Sequence, residues 1–118
     1  MYRNNDVLRL AQGERCLLEI HRYCQGDLGE TTVAAHSNSL IDGKGKGLKA
    51  EDSKTVWACV RCHTMLDQSM LTKTQKKQIF DEAHEEQIKE WENIAKNPLL
   101  RPWKVEAAKD VLKQLGII

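Results

Sequence analysis

The sequence predicts an α+β fold, a small metal-stapled finger followed by two helices, on three observations. Two cysteine pairs, Cys16/Cys24 and Cys59/Cys62, can converge on one ion. Short apolar or β-branched runs of strand length stand between them. Beyond residue 72, apolar residues recur at three- and four-residue steps, the period of an amphipathic helix. The expected organisation is a finger over residues 1–75 and a helical extension over 76–118, together one domain. A chain of 118 residues builds only a modest core, so a metal staple would help materially.

Asp6-Val7-Leu8-Arg9-Leu10-Ala11-Gln12 reads as a short helix, capped by Asn5 or Asp6 and stopped by Gly13. Cys16-Leu17-Leu18-Glu19-Ile20 and Thr31-Thr32-Val33-Ala34-Ala35 read as paired strands, with turn chemistry from Gln25 to Gly29 between them. Cys16 and Cys24 would then lie near the open and turning ends of one hairpin. From Ile41 to Lys49, three glycines at alternate positions interleave with lysines. Their spacing matches neither a Walker nor a Rossmann loop, which leaves a flexible surface loop, or one that orders on a phosphate backbone.

Thr55-Val56-Trp57-Ala58 leads into the knuckle Cys59-Val60-Arg61-Cys62-His63, and a helix is expected over 60–71. Thr72 and Gln75 form a capping box for a long helix that carries Ile79, Phe80, Ala83, Ile88, Trp91, Ile94 and Ala95 on its apolar face. Asn97-Pro98 ends it. Pro102 opens the last helix, with Val105, Ala108, Val111, Leu112 and Leu115 on one face and Gly116 at its exit. These two helices are expected to cover the apolar side of the finger, with a homodimer through them as the alternative. His84 reads as a solvated helix residue, and His21 as hairpin surface.

Composition narrows the function classes. Hydrophobic residues make up 41% and charged residues 30%, as in soluble globular chains. No run approaches the roughly 18 apolar residues of a membrane helix, and Met1 to Asp6 does not open a signal peptide. A cytoplasmic protein with no membrane partner is therefore expected, and in a reducing compartment four cysteines suit a metal better than disulfides. Net charge is +1, which singles out no partner. Its distribution is uneven: residues 1–77 hold 12 basic against 9 acidic groups (+3), and residues 78–118 hold 6 against 8 (−2). Arg22, Lys44, Lys46, Lys49 and Arg61 cluster around the metal motifs and are the candidate nucleic-acid contacts.

The chemistry concentrates at the cysteines. Cys59 and Cys62 have knuckle spacing; Cys16 and Cys24 are wider apart, with seven residues between them, and converge only if the chain folds back. A four-thiolate Zn²⁺ site is the expected structural cofactor, with free buried thiols as the alternative. The same CxxCH string is also the attachment signature of c-type haem. Haem would need export and would leave Cys16 and Cys24 without a role, so no haem is expected. His36, at the end of an apolar run between the two cysteine pairs, is a candidate base. His63 and Asp67 are four residues apart and would share one face of the post-knuckle helix. A salt bridge from Asp67 to Lys73 or Arg61 is the purely structural alternative for that carboxylate.

Leu8-Arg9, Ala11, Gly13, Cys16, Cys24-Gln25-Gly26, Glu30-Thr31, Val33-Ala34-Ala35-His36, the glycine-lysine loop, Asp52, and Ala58-Cys59 through Cys62-His63 to Asp67 together resemble the YbcO-type nucleases of phages and prophages. Those are similar in turn to the wider HNH, or His-Me finger (ββα-metal), nucleases. The resemblance covers residues 5–70 or so. It implies a ββα-metal core and an endonuclease that hydrolyses phosphodiester bonds, with DNA as the expected partner. It further implies His36 as general base, His63 and Asp67 as catalytic residues, and a Mg²⁺ or Mn²⁺ ion held by Asp67, His63 and, as a further candidate, Asp52. HNH enzymes usually carry Asp directly before the base; this chain has Ala35 there. A non-catalytic zinc-finger adaptor that binds nucleic acid or a recombination partner is the competing expectation.

Overall fold

The computed structural model describes residues 1–38, 49–68 and 70–118. Most of the glycine-lysine loop, with Lys44 and Lys46, lies outside the described residues.

Among the described residues the sheet has two antiparallel strands, β1 (Val33–His36) and β2 (Thr55–Ala58). Val33 stands opposite Ala58 and His36 opposite Thr55. The expected hairpin is thereby corrected, because the run ending at His36 pairs with Thr55–Ala58 and not with Cys16–Ile20. Glu19 explains the difference. It has a φ of 49°, in the left-handed region that interrupts an extended run. The segment before it instead lends one bond to the outer side of β2, from the Leu17 N–H to the Trp57 carbonyl at 2.8 Å. Gln87 completes that edge by accepting the Trp57 N–H at 2.8 Å. All four residues of β2 are buried, so no inside-outside alternation marks it in the sequence.

Among the described residues, four α-helices pack around the sheet. Helix α1 (Asn5–Arg9) is capped by Asn4, whose side chain accepts from the amides of Asp6 and Val7, one residue earlier than expected. Helix α2 (Val60–Gln68) begins directly after Cys59, and the Thr31 hydroxyl accepts the Val60 N–H at 3.2 Å. Helix α3 (Lys73–Lys96) has the expected capping box: the Thr72 hydroxyl accepts the Gln75 N–H, and the Gln75 side chain accepts the Thr72 N–H. Helix α4 (Pro102–Gln114) starts on its proline as expected.

Two apolar clusters meet at β2. Trp57 joins Val7, Leu10, Trp91, Ala108, Val111 and Leu112 between α1, α3 and α4. Val56 and Ala58 join Ala35, Leu66, Phe80, Ala83 and the buried cysteines on the other side. Helix α3 packs on both β2 and α4, and α4 on α1, so the helical faces expected to cover the finger are used within the chain. His84 departs from its expected solvated state. It lies in the buried stripe Phe80, Ala83, Gln87 and Trp91, stacks on Phe80, and bonds the Ser53 carbonyl through Nε2 at 2.8 Å. The helical period places residue 84 on the inner face whatever its polarity, and the Ser53 carbonyl satisfies its ring.

Gly29 marks a close approach. Its φ is 70°, and a Cβ there would sit 2.6 Å from the Gly13 carbonyl oxygen, a backbone atom that cannot swing away. Gly116 has a similar φ of 77° with open space around it. Gly116→Ala should cost about 1 kcal/mol from backbone conformation alone. Gly29→Ala should cost more than that, by an amount that urea unfolding of the two variants will measure.

Candidate functional site

The cysteine cluster is assembled from loop and helix. Cys16 and Cys24 sit on the irregular segment between α1 and a 3₁₀ turn at Gly26–Leu28, which the Cys16 N–H closes by bonding the Gly26 carbonyl at 2.9 Å. Cys59 and Cys62 come from the junction of β2 and α2. All four Sγ atoms lie within 4.8 Å of one another, with Cys24 and Cys59 at 3.9 Å. A tetrahedral ion with 2.3 Å bonds to sulfur would separate its ligands by roughly 3.8 Å, so the four thiols could hold a metal ion. Backbone amides already point at the sulfurs, from His21 to Cys62 at 3.4 Å and from Gly26 to Cys24 at 3.3 Å. The His21 ring is engaged elsewhere, accepting the Tyr23 N–H at 2.9 Å.

Electrostatics supports the same use. Burial pushes the Cys24 and Cys62 thiols up. Burial also acts on Cys59, but the amides of Cys62 and Gln25 and the neighbouring thiols outweigh it and bring that group down to about 7. Further ionisation would crowd like charges together, and a bound cation relieves that.

Beside this cluster opens a cleft of about 490 Å³, lined by residues that include His36, Asn38, Lys49, His63 and Asp67. The three sequence-derived catalytic candidates, His36, His63 and Asp67, thus share one cavity. Their elements explain why: His36 ends β1, and His63 and Asp67 lie one turn apart on α2. His63 Nε2 is 3.2 Å from Asp67 Oδ2, and the Asn38 amide donates to Asp67 Oδ1 at 2.7 Å. Asp67 thus contacts His63 and Asn38, the alternative having been a structural salt bridge to Lys73 or Arg61. Thr32, whose buried Oγ1 has no partner among the described residues, also lines the cleft.

His36 is half-buried, and its Nε2 meets Asp52 Oδ1 at 2.8 Å. Register makes this contact: His36 faces Thr55, the Ser37 N–H bonds the Lys54 carbonyl, and the turn from Glu51 to Lys54 carries Asp52. Asp52 is only 2% exposed. Burial raises its carboxyl, but bonds from His36, the Asn4 amide and Arg3 outweigh it and hold the group below the usual carboxylate range. The further candidate ion ligand therefore has both oxygens engaged by protein and is not among the cleft-lining residues.

The basic candidates separate. Lys49 is exposed and lines the cleft. Arg22 and Arg61 are exposed beside the cysteines, Arg22 lying 5.3 Å from the centre of the Tyr23 ring. Asn38 was not singled out by sequence reasoning; its signal is its place two residues after His36, the spacing that returns a side chain to the same side of an extended strand. Ala35, where HNH enzymes carry Asp, is fully buried against Val56 and the cysteines, so a carboxylate there would be dehydrated.

A family model described as putative nuclease YbcO matches residues 5–96. The chain belongs to the YbcO family. No curated protein and no solved structure matches it significantly. The YbcO match runs beyond the sequence signature to the end of α3, and so takes in the helix that supports the Ser53 carbonyl. Membership makes the chain, at a coarse level, a nuclease: a hydrolase with nucleic acid as substrate. Among the described residues no helix is long and apolar enough to cross a membrane.

The depressed Asp52 carboxyl makes stability depend on pH. Its contribution to stability is complete above its unfolded value of about 3.9 and is lost as pH falls through the folded value. Asp52→Asn should therefore destabilise the protein by about 1.5–3 kcal/mol at neutral pH. Below about pH 3.9 the difference between wild type and variant should shrink, which paired urea unfolding curves will check.

Proposed function

We propose that the protein is a metal-dependent endonuclease of the HNH class, with a His-Me finger formed by β1, β2 and α2, acting on DNA by phosphodiester hydrolysis. The observation that carries this reading is the single cleft shared by His36, Asn38, Lys49, His63 and Asp67. An imidazole, an imidazole–carboxylate pair and an ammonium group converge there, a set able to supply a base, a metal-holding pair and a phosphate contact for phosphodiester hydrolysis.

His36 acts as general base and takes the proton of the attacking water. Lys49 neutralises charge on the bound phosphate, and Asn38 holds the Asp67 carboxylate in place. His63 and Asp67, 3.2 Å apart on one face of α2, would hold the catalytic ion. When bound, Mg²⁺ or Mn²⁺ supplies charge neutralisation at the phosphate and at the leaving oxygen. Arg22, Lys44, Lys46, Lys49 and Arg61 bind backbone phosphates, giving salt-sensitive binding with little sequence preference. The four thiols take Zn²⁺, the ion matched to a soft tetrahedral donor set. The adaptor reading draws on Ala35 and on the near-neutral net charge of +1, and the carboxylate of Asp67 in the same cleft answers the first of these.

Separate measurements test the two halves. Elemental analysis should find one zinc per chain. With Cys16, Cys59 and Cys62 each at most 1% exposed, a thiol reagent should titrate the four cysteines only after chelation. His36→Ala should retain DNA binding at low salt and lose about 10²–10⁴-fold in the rate of nicking supercoiled plasmid with Mg²⁺ or Mn²⁺. A His36→Ala protein that nicks at the wild-type rate removes the mechanism.

A further inference from the structure

We propose that Asp52 is the positioning residue of His36, and that Tyr2, Arg3 and Asn4 clamp it so that the imidazole is held with Nε2 protonated and Nδ1 bare toward the cleft. The inference rests on the reading of His36 as the base.

Three donors converge on one buried carboxylate. Oδ1 accepts from Arg3 Nη1 at 3.1 Å and meets His36 Nε2 at 2.8 Å, and Oδ2 accepts the Asn4 N–H at 2.8 Å. The backbone of Asp52 is fixed as well. Its N–H bonds the Tyr2 carbonyl at 3.1 Å, and its carbonyl accepts the Thr55 hydroxyl at 2.9 Å. Arg3 also bonds the carbonyls of Ala50 and Lys49, at 2.5 and 2.9 Å, which ties the clamp to the backbone of the cleft-lining Lys49. Residues 2–4 and 49–52 thus form one mount, although they lie nearly fifty positions apart.

The chemistry follows from what a carboxylate can do. An ionised Asp only accepts hydrogen bonds, so the ring nitrogen against it must carry the proton. In a neutral imidazole the other nitrogen is then a bare lone pair, the form a general base needs. Nδ1 of His36 has no hydrogen-bond partner among the described residues, and the residue lines the cleft. An ion ligand at Asp52 would have to release bonds to Arg3, Asn4 or His36. Positioning uses the carboxylate as it stands.

The test is a ring-nitrogen NMR experiment on the full chain labelled with ¹⁵N-histidine, above the pH at which imidazole titrates, with His36 assigned by its loss in His36→Ala. Wild type should give a pyrrole-type Nε2 and a pyridine-type Nδ1. In Asp52→Asn an amide cannot accept from all three donors, so His36 should pass to a mixture of tautomers. The kcat for plasmid nicking should fall at least about tenfold with KM changed less than about twofold. If Asp52→Asn does not fold, Arg3→Gln replaces it and should move the ring signals and kcat in the same direction by less. A pyridine-type Nε2 in the wild type overturns the proposal, and so does a variant with unchanged ring signals or unchanged kcat. Wild-type nicking by His36→Ala would instead defeat the base assignment, leaving the ring signals to report on the mount alone.

Discussion

Antiparallel pairing of β1 with β2 in a single register decides where the functional groups fall. With Val33 against Ala58 and His36 against Thr55, the strand that ends in the histidine lies beside the turn that carries Asp52. The same strand pair runs directly into Cys59 and α2, which bring two thiols to the cysteine cluster and the side chains of His63 and Asp67 to the cleft. A slip of one residue would turn Ala35 toward the cleft and drive an imidazole among Val56, Leu66 and the cysteines. Burial of β2 on both faces, with Gln87 and Leu17 closing its outer edge, holds that register.

Two donor environments stand on either side of α2's first turns and differ in character. One is a set of four thiols, three of them buried and Cys24 partly exposed, with backbone amides aimed at sulfur. The other is open to solvent and mixes oxygen and imidazole nitrogen. Soft and hard donor sets suit different ions, and one helix of nine residues carries a member of each, Cys62 near its start and His63 and Asp67 toward the cleft.

Much of this was legible in the chain, wherever the signal was local. The knuckle spacing of Cys59 and Cys62, the Thr72/Gln75 box and the proline at residue 102 each specify their structure within one turn of backbone. Long-range features were hidden. β2 is short and buried on both faces, so it carried no alternating pattern. Glu19 adopts a left-handed conformation that its residue type does not advertise, and the expected first strand failed there. His84 and Gln87 look solvated by polarity, yet each answers one backbone group brought close only by folding. The candidate cleft was half visible: His36, His63 and Asp67 come from spacing, whereas the bonds of Asn38 to Asp67 and of Asp52 to His36 span 29 and 16 residues.

Helix α3 has a part in the cleft without touching it. His84 grips the Ser53 carbonyl and Gln87 grips the Trp57 amide, which brace the turn and the strand that bear Asp52 and lead to Cys59. A fragment trimmed before this helix would strip both braces and bare the apolar surface under Phe80 and Trp91. The smallest transplantable unit of this scaffold therefore extends through the helix, and laboratory diversification of its inner stripe would retune the distant histidine by way of the sheet.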